Sequence, residues 1–323
     1  MKAHKGSILE NIDFYYIDDN IGLYFGDVLE ALKQLPDNYI QCCITSPPYW
    51  GLRKYTDDIT TEIGCEDTPY IYVDKLTEIF NEVKRVLRDD GTLWLNLGDS
   101  YVSKPTGSLG NSTGEKYGFS KNHKHQSNAS KRIDKTGFGL QEKNLIGVPW
   151  LVAFSLQKSG WILRQDIIWQ KNAMPESVKD RCTKSHEYLF LLTKNQKYMF
   201  NHEAIQEKIE GESSFIQEDL FGNIDVPKTR NKRDVWYIPT EPQKNSHVAP
   251  FPTKLVENCL LAGSNSGDVI LDIFNGSGTT GLVSKKFNRK YIGVDIKQEY
   301  LDLTLERLNL NNSEGVFNND YIV

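Results

Sequence analysis

The stretch from Val269 to Asp295 constrains the fold most. An apolar, β-branched run (Val269 to Ile273) enters the turn Asp272-Ile273-Phe274-Asn275-Gly276-Ser277-Gly278-Thr279-Thr280-Gly281; a helix-spaced segment (Thr279 to Phe287) and a second apolar run (Tyr291 to Val294) lead to Asp295. This is the pattern of a βαβ unit, whose two strands are parallel. Gly276, Gly278 and Gly281 fit G-x-G-x-x-G in its required strand-to-helix context, where glycine permits a tight turn and a close approach of backbone to a ligand.

The same alternation continues upstream. Leu23 and Phe25 precede Gly26-Asp27, and Val28, Ala31, Leu32 and Leu35 then recur at helical spacing until Pro36. Asp27, with Glu30 three residues on, has the pattern of a helix N-cap. Tyr39 to Thr45 reads as a strand running into a rigid loop, Ser46-Pro47-Pro48-Tyr49. An amphipathic helix carrying Leu76, Ile79, Phe80, Val83 and Leu87, a turn at Asp90-Gly91 and a strand from Thr92 to Leu97 follow. Pro149 opens a helix with Trp150 to Leu156, closed by Gly160, before strands at Trp161 to Trp169 and Glu187 to Thr193. Helices are expected at Thr253 to Ala262, closed by Gly263, and at Glu299 to Leu308, and the polar tail from Asn311 is expected to fray. There is no internal repeat, and the fold class is α/β with a largely parallel sheet.

Composition narrows the function classes. The 323 residues are 39% hydrophobic and 25% charged, as in an ordinary soluble domain. Apolar stretches such as Tyr188 to Leu192 fall far short of the roughly 20 residues of a membrane helix. No apolar segment follows Lys2 and Lys5, so a secretory signal is not expected and the cytoplasm is the expected location. Cys42, Cys43, Cys65, Cys182 and Cys259 contain no C-x-x-C pair, which argues against a disulfide framework and against a zinc site; no metal is expected. The net charge of -5 hides strong local contrasts. Residues 101–145 hold eight Lys/Arg against three Asp/Glu and read as a mobile loop, either a basic arm for a polyanion or a solvated lysine-rich segment. Residues 202–225 hold seven acids and one lysine, whereas 226–245 hold five basic residues and two acids, which marks an insertion.

Two motifs carry chemistry. Asp295, at the end of the second strand of the βαβ unit, is placed to accept from the ribose hydroxyls of an adenosine. Leu282 stands where a P-loop would have lysine, so ATP hydrolysis is not expected. The loop alone leaves a dinucleotide and S-adenosylmethionine both open. Asp272, which would repel a pyrophosphate and face a cationic amino group, favours the latter, as does the short chain after Asp295. In the second motif, Thr45-Ser46-Pro47-Pro48-Tyr49-Trp50, consecutive prolines stiffen the loop and leave carbonyls to meet an outside donor. An exocyclic base amine is a poor nucleophile because its lone pair is delocalised into the ring. Accepting its hydrogens at the Ser46 side chain and the Pro47 carbonyl would free that lone pair, while Tyr49 stacks on a base flipped from the duplex.

Together these motifs resemble the amino-methyltransferases of DNA, whose catalytic tetrad here is Ser46-Pro47-Pro48-Tyr49 and whose F-x-G-x-G loop is Phe274 to Gly278. The tetrad precedes the cofactor loop, as in the β arrangement of that family. The resemblance implies a Rossmann-like S-adenosylmethionine-dependent methyltransferase fold, with a mixed seven-stranded sheet and helices on both faces. It covers 1–100, 146–200 and 246–323 as catalytic and cofactor-binding domain, with 101–145 as a basic loop and 201–245 as the target-recognition insertion. It implies a cofactor site of Asp27, Phe251, Pro252, Asp272, Phe274, Gly276, Ser277, Gly278 and Asp295. For Asp27 a simple N-cap role stands beside the cofactor role, and Phe251 and Pro252 belong to the segment His247 to Pro252 that opens a helix beside the cofactor. Lys228, Arg230, Lys232 and Arg233 are the implied phosphate contacts. The implied partners are double-stranded DNA and a cognate restriction endonuclease, with the chain a monomer or homodimer in a bacterial, archaeal or phage-infected cell.

Serine at the head of the tetrad is associated with cytosine N4; adenine N6, by the same mechanism, is the alternative. Cytosine C5 methylation needs a thiolate after proline, and no cysteine here follows one. A nucleic-acid-binding protein with a vestigial glycine loop and a nicotinamide dehydrogenase are the readings from other classes.

Overall fold

Strands and helices alternate as the apolar pattern requires. The computed structural model describes residues 12–51, 63–103, 135–172, 178–209, 228–241 and 251–310, with short strands at 217–218, 224–225 and 316–317. The chain begins with β1 (Tyr16–Ile17), β2 (Ile21–Phe25), α1 (Val28–Gln34), β3 (Ile40–Thr45), α2 (Pro69–Val86), β4 (Leu87–Leu97) and α3 (Val148–Lys158). It continues through β5 (Ile162–Gln170), β6 (His186–Thr193), β7 (Glu207–Lys208), β8 (Gln217–Glu218), β9 (Ile224–Asp225), β10 (Thr229–Arg230) and β11 (Val235–Tyr237). Last come α4 (Thr253–Gly263), β12 (Val269–Asp272), α5 (Thr279–Lys286), β13 (Lys290–Asp295), α6 (Gln298–Arg307) and β14 (Val316–Phe317).

The main sheet has ten strands in the order β11-β5-β6-β4-β3-β12-β13-β2-β1-β14. Its long strands, from β5 across to β2, are the expected seven, and the short strands β11, β1 and β14 extend both edges. The run β4-β3-β12-β13-β2 is parallel, and β6 lies antiparallel to both β4 and β5. Period-2 alternation sends Cys43, Leu93, Leu95 and Leu271 to one face, against apolar residues of α1, α2 and α3. Cys42, Ile44, Trp94 and Ile270 go to the other, against α4, α5 and α6. Each fully buried aliphatic or aromatic side chain contributes about 1.5–3 kcal/mol.

Helix α2 follows this logic from end to end. The Thr68 hydroxyl accepts from Ile71 N–H, Pro69 occupies the first turn, and Tyr72, Leu76, Ile79, Phe80 and Val83 form the buried stripe. Leu87, expected on the helix, instead turns extended and begins β4. Asp90-Gly91, expected as a turn, lies inside that strand, where its pairing with β3 shifts register between Ile40 and Cys42. Space is tight at the irregularity: a Cβ on Gly91 would sit 3.0 Å from the Arg88 carbonyl oxygen and 3.1 Å from that of Gln41, so a larger residue would have to shift the backbone.

Three segment boundaries also differ from expectation. The described ends of 101–145 are packed: Tyr101 bridges Leu145, Lys135 is buried, and Phe138 meets the Trp50 ring edge-on at 5.4 Å. Residues 104–134 lie outside the described residues. The 201–245 insertion gives β11 to the main sheet, where Trp236 pairs with Trp169, so it is not separate from the core. The polar tail supplies β14, paired with β1, instead of fraying throughout. No helix among the described residues is long and apolar enough to cross a membrane.

Candidate active site

From β3 the chain builds the sheet in one direction through β4, and from β12 in the other through β13. The carboxyl ends of β3 and β12 therefore flank a topological switch point, where an open α/β sheet leaves a crevice for ligands. Both chemistry-bearing motifs stand there. Thr45, the last residue of β3, donates its hydroxyl hydrogen to Asp272 Oδ1 at 2.7 Å, and Asp272 is the last residue of β12. One buried hydrogen bond joins the tetrad loop to the glycine loop.

The tetrad loop is held from beneath. Tyr72 OH donates to the Pro48 carbonyl at 2.9 Å, and the buried Trp50 indole donates to the Glu66 carbonyl at 2.8 Å. The Pro48 carbonyl is thus occupied, whereas no hydrogen bond reaches the Pro47 carbonyl among the described residues. Ser46, Pro48 and Tyr49 are half-buried and Pro47 is buried.

Tyr49 is anchored by residues that no sequence motif singled out. Its hydroxyl lies 2.7 Å from Glu187 Oε2 and 3.2 Å from Asn96 Oδ1. Asn96 Nδ2 donates to the same Glu187 oxygen at 3.2 Å, while Lys171 pairs with the other, Oε1. Burial, then the neighbouring Glu187 charge, pushes the Tyr49 phenol well above its usual pKa, so it stays protonated and donates. Asn96 is on β4, Lys171 follows β5 and Glu187 is on β6, so only the strand order brings them together; no local spacing could have revealed them.

The glycine loop forms a cradle. Gly276 and Gly278 have φ of 51° and 73°, and a Cβ on Gly278 would lie 2.5 Å from the Thr304 side chain. Phe274 is half-buried, and the buried Ser277 accepts from Arg307 through both its carbonyl and its hydroxyl. Asp295 Oδ2 accepts from Gly276 N–H at 2.8 Å and Oδ1 from Lys297 N–H at 3.0 Å. Burial lifts the Asp295 carboxyl to about 7 against these hydrogen bonds.

Asp272 stands differently from the expectation that it faces a ligand ammonium. It is 1% exposed, with Oδ1 bonded to Thr45 and Phe274 N–H and Oδ2 to Thr280 at 2.7 Å. Burial raises its pKa to about 6. Its carboxylate ties the turn together from inside. Asp27 caps α1, accepting from Leu29 N–H at 2.8 Å and Glu30 N–H at 3.2 Å, as its N-cap reading required. It also sits at the carboxyl edge, because β2 pairs with β13 and Gly26 N–H reaches the Asp295 carbonyl at 3.0 Å. Phe251 is half-buried and the buried Pro252 is the N-cap of α4; His247 to Pro250 lie outside the described residues.

The basic segment is less available than its charge count suggested. Arg230 and Arg233 both bond Glu207 Oε1, at 2.7 and 2.6 Å, and hold its carboxyl below the usual range against the opposing effect of burial. The Lys232 ammonium lies 5.3 Å from the Trp236 ring centroid, where burial lowers its pKa. Lys228 is exposed. The buried thiols are no nucleophiles: burial pushes Cys42 up to about 12 and Cys43 well above its usual value. No cluster of His, Cys, Asp and Glu among the described residues could hold a metal.

A parallel sheet with its carboxyl-edge crevice shared by a glycine loop and a proline-stiffened loop defines a methyltransferase-type α/β protein. Residues 40–306 match the family model of the N6/N4 DNA methylases, and the chain belongs to that family. It is 45% identical over 287 residues to the Type II methyltransferase M.Cfr9I of Citrobacter freundii, covering 88% of this chain and 87% of that one. Its identity to M.SmaI of Serratia marcescens is 44% over 284 residues, with 88% and 89% covered. Among solved structures, the fold resembles the PvuII DNA methyltransferase (cytosine-N4-specific), with a TM-score of 0.65 at 20% identity over 94% of this chain and 91% of that one. It also resembles a protein described as a putative DNA modification methylase from Thermus thermophilus, solved in complex with S-adenosyl-L-methionine (TM-score 0.58, 23% identity, 91% and 95% covered).

Proposed function

We propose that this DNA methylase transfers a methyl group from S-adenosylmethionine to the exocyclic N4 amine of cytosine, after the base has flipped out of duplex DNA. The observation that carries the reading is the Thr45–Asp272 hydrogen bond, which sets the amine-accepting loop beside the cofactor cradle. The cradle fits an adenosine: positive-φ glycines leave room for close backbone approach, and Asp295 caps the adjacent strand. Gly276, Gly278 and Asp295 would hold the cofactor with Phe274 and Asp27, while Phe251 and Pro252 would flank it at the N-terminus of α4. When bound, the cofactor supplies an electrophilic sulfonium methyl.

The chain's own residues prepare the amine. Ser46 Oγ and the Pro47 carbonyl accept its two hydrogens, which draws the nitrogen toward tetrahedral geometry and exposes the lone pair. Tyr49 offers its ring face to the base. Transfer of that methyl would form the new N–C bond as the C–S bond breaks, leave S-adenosylhomocysteine and release one amine proton to water. Serine at the head of the tetrad favours cytosine N4, as does the cytosine-N4 specificity of the PvuII enzyme whose fold this chain resembles. The names of the relatives support a Type II restriction-modification role, with a companion endonuclease reading the same DNA site. Lys228, with Arg230, Lys232 and Arg233 after rearrangement, meets the phosphates.

Calorimetric titration with S-adenosylmethionine, paired with methyl incorporation into unmethylated genomic DNA, tests this reading. Wild type should bind and transfer. Tyr49→Ala should keep its cofactor affinity but lose about fivefold to 150-fold in transfer, the equivalent of removing about 1–3 kcal/mol of base stacking. Transfer by Tyr49→Ala at the wild-type rate would refute the stacking role.

A further inference from the structure

We infer that Glu187, locked by Lys171, is a positioning residue that fixes the Tyr49 ring for the incoming base, an inference that rests on the stacking role proposed for Tyr49. An ion pair this far from water is a poor source of stability, because desolvating two charges offsets most of their attraction. The Lys171 and Glu187 side chains are only 10% and 12% exposed. Their geometry has a different use. Lys171, its ammonium 4.3 Å from the Trp169 ring centroid, holds one carboxylate oxygen of Glu187 and so fixes the direction of the other. That second oxygen accepts from Tyr49 OH at 2.7 Å and from Asn96 Nδ2 at 3.2 Å.

The ring is also confined along its side. A Cβ on Gly98 would lie 2.5 Å from Tyr49 Cε2, so the strand that carries Asn96 passes against the ring edge. Three neighbouring strands therefore hold one phenol: β4 by Asn96, with Gly98 just past its end, β6 by Glu187, and β5 indirectly, through Lys171 just past its end, which holds Glu187. A platform that must capture a flipped base gains from being held before the base arrives, because ordering it afterwards would add to the cost of flipping.

A mutant cycle tests the inference, with kcat for methyl incorporation into unmethylated genomic DNA, KM for S-adenosylmethionine and thermal denaturation as readouts. Tyr49→Phe and Glu187→Gln should each lower kcat by about tenfold, the size of effect expected when a hydrogen bond to a charged group is lost, with KM within about twofold of wild type. If Glu187 acts through the hydroxyl, the double variant should be no slower than Tyr49→Phe alone. Multiplication of the two losses to about a hundredfold, or a wild-type kcat for Glu187→Gln, would overturn the inference. The apolar pair Glu187→Leu/Lys171→Met avoids an uncompensated charge. It should still fold and melt cooperatively yet show the Tyr49→Phe rate, and a wild-type rate would again overturn the inference. Tyr49→Ala separates the two ideas: full activity there removes the stacking role itself, whereas a slowed Tyr49→Ala beside a wild-type Glu187→Gln removes only the positioning role.

Discussion

At the scale of single residues, two buried carboxylates with different tasks govern the cofactor edge. Asp272 accepts from two hydroxyls and one backbone N–H with almost no exposure, so it joins the loops mechanically. Asp272→Ala would strand those donors, and denaturant unfolding should show a loss of about 2–4 kcal/mol together with weakened cofactor binding. Asp295 titrates at about 7 and Asp272 at about 6, both raised by burial. An unfolded carboxyl titrates near 4, so between those values the native state binds more protons than the unfolded state. Their contribution to stability is therefore fully present below about pH 4 and lost as pH rises through about 6 to 7. The pH dependence of thermal melting in this window should flatten in Asp295→Asn. The ribose contact proposed for Asp295 needs its ionised form, so on that proposal cofactor affinity measured calorimetrically should strengthen as pH rises through about 7, and Asp295→Asn should abolish that dependence. The tetrad and the glycine loop are legible in the sequence because each is contiguous. Glu187, Lys171 and Asn96 are not, because they meet Tyr49 only across strands. Asp272 reads as a site residue, but its inward orientation depends on Thr45, 227 positions away.

At the scale of elements, periodicity locates the long strands and helices well, and fails where tertiary pairing overrides it. Gly91 looks like a turn in sequence, yet the neighbouring strand converts it into a register break within β4. The three strands beyond the expected seven have only two or three residues each, too few for alternation to register. Local charge counting has a similar limit at β7 and β10, whose antiparallel pairing sets Arg230 opposite Glu207, with Arg233 on the same carboxylate. On the proposal that this segment meets the DNA phosphates, Glu207 acts as a brake on that contact. Glu207→Gln should raise DNA affinity at low salt and steepen the slope of log K against log salt by about 1–2, one increment per arginine released. An unchanged slope in a binding titration would show that these arginines stay away from the phosphates.

At the scale of the whole molecule, the order of strands explains why two motifs more than 220 residues apart act at one place. The chain leaves β3 toward one edge of the sheet and β12 toward the other, and the crevice between them receives both loops. Membership of the N6/N4 DNA methylase family agrees with that arrangement, and the serine heading the tetrad carries the finer assignment of the base. Incubation of the protein and methyl-labelled S-adenosylmethionine with unmethylated genomic DNA, followed by digestion to nucleosides and mass spectrometry, tests that assignment most directly. The label should appear in N4-methylcytosine. Label in N6-methyladenine would contradict the role given to Ser46 in selecting the base, and label in no nucleoside would contradict the proposed reaction itself.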